Sequence, residues 1–186
     1  MATSGQEIHN PRSGETFRFM KTAADTGGEY LQFEFTVRPG GAVPFPHIHR
    51  NQEETFQITH GRATVIIDGE RRELGPGEEI TVPIGANHIC INDESEEMRS
   101  VVTFRPAYDL EYWFETFCGM AHDGRCDAKG GPRFMQLMIL LNSFEFKGYR
   151  TDVPIIAQKL LPPFLSPIAR MLGYRAIYTK YSGFER

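Results

Sequence analysis

The chain of 186 residues is poor in cysteine and has no long apolar run. Its three cysteines, Cys90, Cys118 and Cys126, form no CxxC pair and leave one thiol unmatched, which argues against a disulfide framework and fits a reducing compartment. No window approaches the roughly 18 consecutive apolar residues of a membrane span. The opening stretch MATSGQEIHNPRSGE lacks the apolar run of a secretory signal, so a cytoplasmic location is expected. Charge of one sign is also missing. The net charge is -4, with acids spread along the chain, so neither a nucleic-acid footprint nor an acidic tail is indicated. The expected partner is a small organic molecule.

What is present is a strand-forming first half. Leu31, Phe33, Phe35 and Val37 alternate with Gln32, Glu34 and Thr36, the period of two expected of a half-buried strand. Pro39-Gly40-Gly41 ends that strand. Asp68-Gly69, between RATVII and ERREL, is a two-residue hairpin signal, and Gly75-Pro76-Gly77 makes the next turn. A last strand runs from about Arg99 to Phe104, and Pro106 closes a meander of short antiparallel strands.

From Asp109 the period becomes helical. Tyr112, Phe114, Phe117, Cys118 and Met120 recur at helical spacing before GMAHDGRCDAKGGP interrupts. Phe134, Leu137, Met138, Leu141 and Phe144 form the apolar stripe of a second helix. A third stretch, roughly 154–172, carries Pro162-Pro163 and Pro167 and reads as two short pieces. The expected organisation is a mainly β unit over residues 1–106, a β-barrel or sandwich with an N-terminal arm. An α-helical C-terminal extension over 107–186 would pack on the barrel or on a partner subunit.

Ligand-type side chains cluster in the strand region. His47 and His49 are two apart, so on a strand both imidazoles leave the same face. A short turn leads to the adjacent Glu53 and Glu54, of which one points inward. About thirty residues on, His88 arrives on another strand. Three imidazoles and one carboxylate suit a borderline divalent transition metal.

Two longer patterns contain these residues. Gly41, His47, His49, Glu54 and Gly61 match G(X)5HXH(X)3-4E(X)6G, and Gly77, Pro83, Gly85, His88 and Asn92 match G(X)5PXG(X)2H(X)3N. With both motifs complete, residues 30 to 105 closely resemble the cupin superfamily. The resemblance implies a small jelly-roll β-barrel. It selects Glu54 over Glu53 as the inward carboxylate and implies that His47, His49, Glu54 and His88 bind one divalent transition metal: iron, manganese, nickel, copper, zinc or cobalt. Four ligands leave an octahedral ion two open positions, so a metal-dependent dioxygenase-type oxidoreductase is the leading expectation. A non-oxidative lyase, decarboxylase or isomerase is the alternative, and a non-catalytic small-molecule binding protein is a third. A homodimer is expected, and the helical extension, outside the resemblance, is where specificity is expected to reside.

Other residues invite chemical readings that are weaker. Cys90 should share the inward face of His88, where a small buried apolar side chain is the simpler role. Cys118, His122 and Cys126, spaced by four, imitate half a zinc site, but Gly119 and Asp123-Gly124 argue against one continuous helix. His60 and Glu53 are expected at the surface. The aromatic group Tyr112, Trp113, Phe114, Phe117, Phe134 and Phe144 could roof a pocket, though packing of an amphipathic helix explains it more simply. In LLPPFLSPIARMLGYR the prolines argue against a membrane-surface helix despite Lys159, Arg170 and Arg175, so membrane contact is not expected.

Overall fold

A computed structural model describes residues 2–182. Along the chain come β1 (Glu7–Asn10), β2 (Glu15–Lys21), the single turn α1 (Ala23–Thr26), β3 (Leu31–Val37) and β4 (His47–His49). There follow β5 (Glu53–His60), β6 (Ala63–Ile67), β7 (Glu70–Leu74), β8 (Glu79–Val82), β9 (Asn87–Ile91) and β10 (Met98–Arg105). The remainder is α2 (Leu110–His122), α3 (Phe134–Ser143), β11 (Gly148–Arg150), α4 (Ile155–Leu160) and α5 (Pro162–Met171).

The strands form two antiparallel sheets, ordered β1-β2-β3-β10-β5-β8 and β11-β4-β9-β6-β7. Among the described residues the hydrogen-bonded ladders do not close into one continuous barrel. The fold is a jelly-roll type sandwich whose two sheets share one core: Phe33, Phe56 and Val102 come from the first, Val65 and Cys90 from the second. Alternation explains the burial. On β3, Leu31, Phe33, Phe35 and Val37 are buried while Gln32, Glu34 and Thr36 are half-buried.

Turn chemistry fixes the register. Asp68 and Gly69 have φ of 49° and 86°, the two positive values of a tight hairpin, so β6 and β7 pair without slack from Ile67↔Glu70 to Ala63↔Leu74. Gly61, one of the motif glycines, has φ of 67°, and a Cβ there would run into the carbonyl oxygen of Glu97. Its role is steric. Gly61→Ala is therefore expected to cost about 1–3 kcal/mol, read as a lower urea midpoint with an unchanged m-value.

The helical region departs from the sequence reading in three places. α2 continues through Gly119 to His122, because the ring of Tyr181 lies against the helix where a side chain would stand, and glycine leaves room for it. Residues 154–172 do form two short pieces, α4 and α5, but the break falls at Leu161 alone: Pro162 takes a first-turn position where proline costs no hydrogen bond, and Pro167 is carried inside α5. The third difference is β11, three residues with no periodic signal, which adds itself beside β4. The extension thus supplies a strand next to the HxH strand.

Candidate metal centre

Three strands carry the four ligand-type residues. β4 pairs with β9, setting His47 opposite His88, and β5 brings Glu54 from the other sheet. Period two sends both His47 and His49 to one face of β4 and turns Glu54 into the sandwich, while Glu53 stays exposed. The ligand atoms of His47, His49, Glu54 and His88 all lie within 4.8 Å of one another. His88 Nε2 is 2.7 Å and His49 Nε2 3.3 Å from Glu54 Oε2, and His47 Nε2 is 3.0 Å from His49 Nε2.

The outer ring nitrogens explain the orientation. His47 Nδ1 lies 3.2 Å from the carbonyl of Phe45, and His88 Nδ1 3.2 Å from that of Ala86. A carbonyl only accepts, so each Nδ1 bears the hydrogen and each Nε2 is turned to the cluster. Burial would raise the pKa of Glu54, but hydrogen bonds from His49 and His88 outweigh it and hold the carboxyl well below the usual carboxylate range. The tight surroundings of His47, together with the His88 and His49 imidazoles, press it well below a free imidazole. Burial opposes protonation of His88, yet its bond to Glu54 raises its pKa. An ionised carboxylate among converging imidazole nitrogens, one of them neutral, is a donor set that fits a divalent transition metal, which would replace the proton held at His88.

His47, His49 and Glu54 of this cluster stand in the wall of a cavity, while His88 is fully buried and does not line it. Most of the wall is apolar, with Phe17, Phe33, Phe35 and Phe104 from the strands and Trp113 and Phe114 from α2. The aromatic face of α2 thus forms part of the cavity as well as packing on the sheets. Phe117 also reaches it, whereas Tyr112 does not, Phe134 is exposed and Phe144 is buried in the core.

Two polar side chains of this cavity escaped the sequence reading. Glu15 is buried, accepts a 2.5 Å hydrogen bond from Ser13 Oγ, and has its pKa pushed up to about 8, chiefly by burial. A signal existed: Glu15 shares the inward face of β2 with Phe17 and Phe19, which alternation alone places there. Arg150 on β11 pairs with Asp152 at 2.6 Å and lies 4.3 Å over the Phe45 ring. Nothing local announced it.

The weaker candidates separate cleanly. Cys90 is buried on the face of His88 and burial holds its thiol protonated. Cys118 and Cys126 are buried, but His122 is exposed and edges against His9, and the cluster at His47 is the only group of metal-ligating type among the described residues. His60 and Glu53 are exposed.

A family model described as a cupin domain matches residues 33–104. A mannose-1-phosphate guanylyltransferase of Escherichia coli (strain K12) is 31% identical over 87 residues, which are 47% of this chain and 18% of that protein, so the match spans under a fifth of that relative. KdgF from Halomonas sp. superposes with a TM-score of 0.49 at 19% identity, covering 55% of this chain and 87% of the other. The polyketide cyclase RemF from Streptomyces resistomycificus superposes with a TM-score of 0.48 at 23% identity, covering 57% and 78%. Both histidine-bearing motifs lie inside the matched residues, with two antiparallel sheets around them, so residues 33–104 of this chain carry a cupin domain.

Proposed function

We propose that this protein is a metal-dependent enzyme that acts on a small, largely apolar organic molecule with dioxygen as co-substrate. One observation carries the reading: four metal-type ligands converge, three of them (His47, His49 and Glu54) in the wall of a cavity that is otherwise mostly apolar. His47, His49, Glu54 and His88 would hold one divalent transition metal, which when bound with open positions supplies Lewis acidity or dioxygen activation. The chain does the rest. Phe33, Phe104 and Phe114, whose ring centroids stand 5.1 to 6.2 Å apart, form a rigid wall that orients a planar apolar ligand and keeps water from it. Expected is oxygen uptake that depends on added iron, copper, nickel or manganese, measured across a panel of phenols, diketones and thiols. Metal-loaded protein that consumes no oxygen with any of them would defeat the reading.

One feature favours a second reading, non-oxidative lyase, decarboxylase or isomerase chemistry. Glu15 keeps a proton near neutral pH in the same cavity, the property of a group that gives or takes a proton beside a polarised carbonyl. Turnover that persists under argon would decide for it.

A further inference from the structure

The amphipathic order of α5 is reversed. Pro162, Ser166 and Ala169 face the body of the protein and are buried, whereas the large apolar residues point away. Phe164 is 75% exposed and Met171 88%, with Ile168 between them. Leu160 at the end of α4 and Leu172 after α5 extend the same stripe, Leu172 at 66% exposure. The small inner face lets α5 lie close on α3, where Leu165 packs on the cluster of Leu137, Met138 and Leu141. A helix built only for its own fold would bury the phenylalanine and expose the serine.

Charge identifies what covers the stripe. From Ile155 to Ser182 the chain has Lys159, Arg170, Arg175 and Lys180 and no acid, in a protein of net charge -4. Lys180 is paired with Asp123, and Lys159, Arg170 and Arg175 are exposed. A second copy docking through a twofold axis would set these cations against themselves, with no carboxylate in the segment to separate them. Among the described residues no helix is long and apolar enough to cross a membrane. A short helix with phenylalanine, isoleucine and methionine outward and lysine and arginine beside them suits the boundary between headgroups and acyl chains. From this we infer that the outer face of α4 and α5 docks on an anionic membrane surface, Phe164, Ile168 and Met171 entering the lipid and Lys159, Arg170 and Arg175 meeting the headgroups. The inference stands apart from any metal.

The test is sedimentation of the full chain with vesicles of phosphatidylcholine, with or without about one third phosphatidylserine. Wild type is expected to partition at least about tenfold more strongly onto the anionic vesicles and to be released by high salt. The double variant Phe164→Asp/Met171→Asp, which alters only exposed side chains, should lose binding while keeping its thermal midpoint. Lys159→Glu/Arg170→Glu should lose the preference for phosphatidylserine. Wild type that stays in the supernatant with both vesicle types overturns the inference. So does a wild-type dimer that Phe164→Asp/Met171→Asp converts to monomer, since the stripe then belongs to a second copy, or binding that both double variants retain.

Discussion

Glu54→Ala is expected to strip the protein of metal, lowering affinity by more than about tenfold, while Glu53→Ala leaves it unchanged. Loss of an outer-sphere partner alone costs roughly 10–100-fold at such sites, and Glu54 is the single anionic ligand candidate of the cluster, within 2.7 Å of His88 Nε2 and 3.3 Å of His49 Nε2. Its neighbour differs in one respect that decides the outcome. Successive residues of β5 alternate between faces, so Glu54 is buried and Glu53 exposed. Elemental analysis of protein from its own host, followed by competition with a chelator, reads the effect, and Glu54→Gln keeps shape while removing the charge. If Glu53→Ala were the variant that lost metal, the ligand role assigned to Glu54 would be wrong. Thermal unfolding provides the control, because Glu54→Ala also deprives His88 of its hydrogen-bond partner.

The same alternation accounts for how much could be read in advance. β3, β5 and β9 lie in sheets with one face on the core, where period two writes the inside and outside of every residue into the sequence, and Asp68-Gly69 fixes the register by turn geometry. Alternation put His47 and His49 on one face, but the full cluster was legible from the two complete motifs, whose resemblance to the cupin pattern chose Glu54 over Glu53 and added His88. β11 was not, since Gly148, Tyr149 and Arg150 show no period and their strand exists only because the edge of β4 is there to pair with. Arg150 enters the cavity by that route. The orientation of α5 was hidden differently. Its apolar residues do recur with a helical period, but a period marks a face without saying whether protein, solvent or lipid lies against it, and Pro162 and Pro167 read as breakers although one starts the helix and the other is carried within it. Glu15 marks an intermediate case: alternation with Phe17 and Phe19 places it inward, but it was passed over, and acids on an apolar face are rare.

That rarity makes Glu15 the source of a large pH dependence. Burial raises its pKa from 4.5 to about 8; the Ser13 hydrogen bond opposes this, and the negative charge of Glu54 adds to it. The sign follows from linkage. The folded state holds the proton to higher pH than the unfolded chain, so the contribution is fully present below about pH 4.5 and is lost as pH rises towards 8. At about 1.4 kcal/mol for each tenfold in proton affinity, the loss is on the order of 4–5 kcal/mol. Cys90 and Cys118, which feel the charge of Glu15, are held protonated by burial across this window, so Glu54, ionised throughout it, is the neighbour that acts on Glu15 by its charge. Glu111 and Glu115 are also buried with raised pKa values and contribute with the same sign, so the wild type must be compared with Glu15→Gln rather than read alone. In chelator-treated protein, urea unfolding of wild type should weaken between pH 5 and pH 8.5 by several kcal/mol more than that of Glu15→Gln, whose amide keeps Ser13 within reach and carries no charge. Parallel curves for the two proteins would mean that Glu15 ionises freely, and the case for a proton-bearing carboxyl in the cavity would fall with it. A steeper wild-type curve would instead show a residue that the fold retains against its own stability above neutral pH, which is the expected mark of a side chain kept for chemistry.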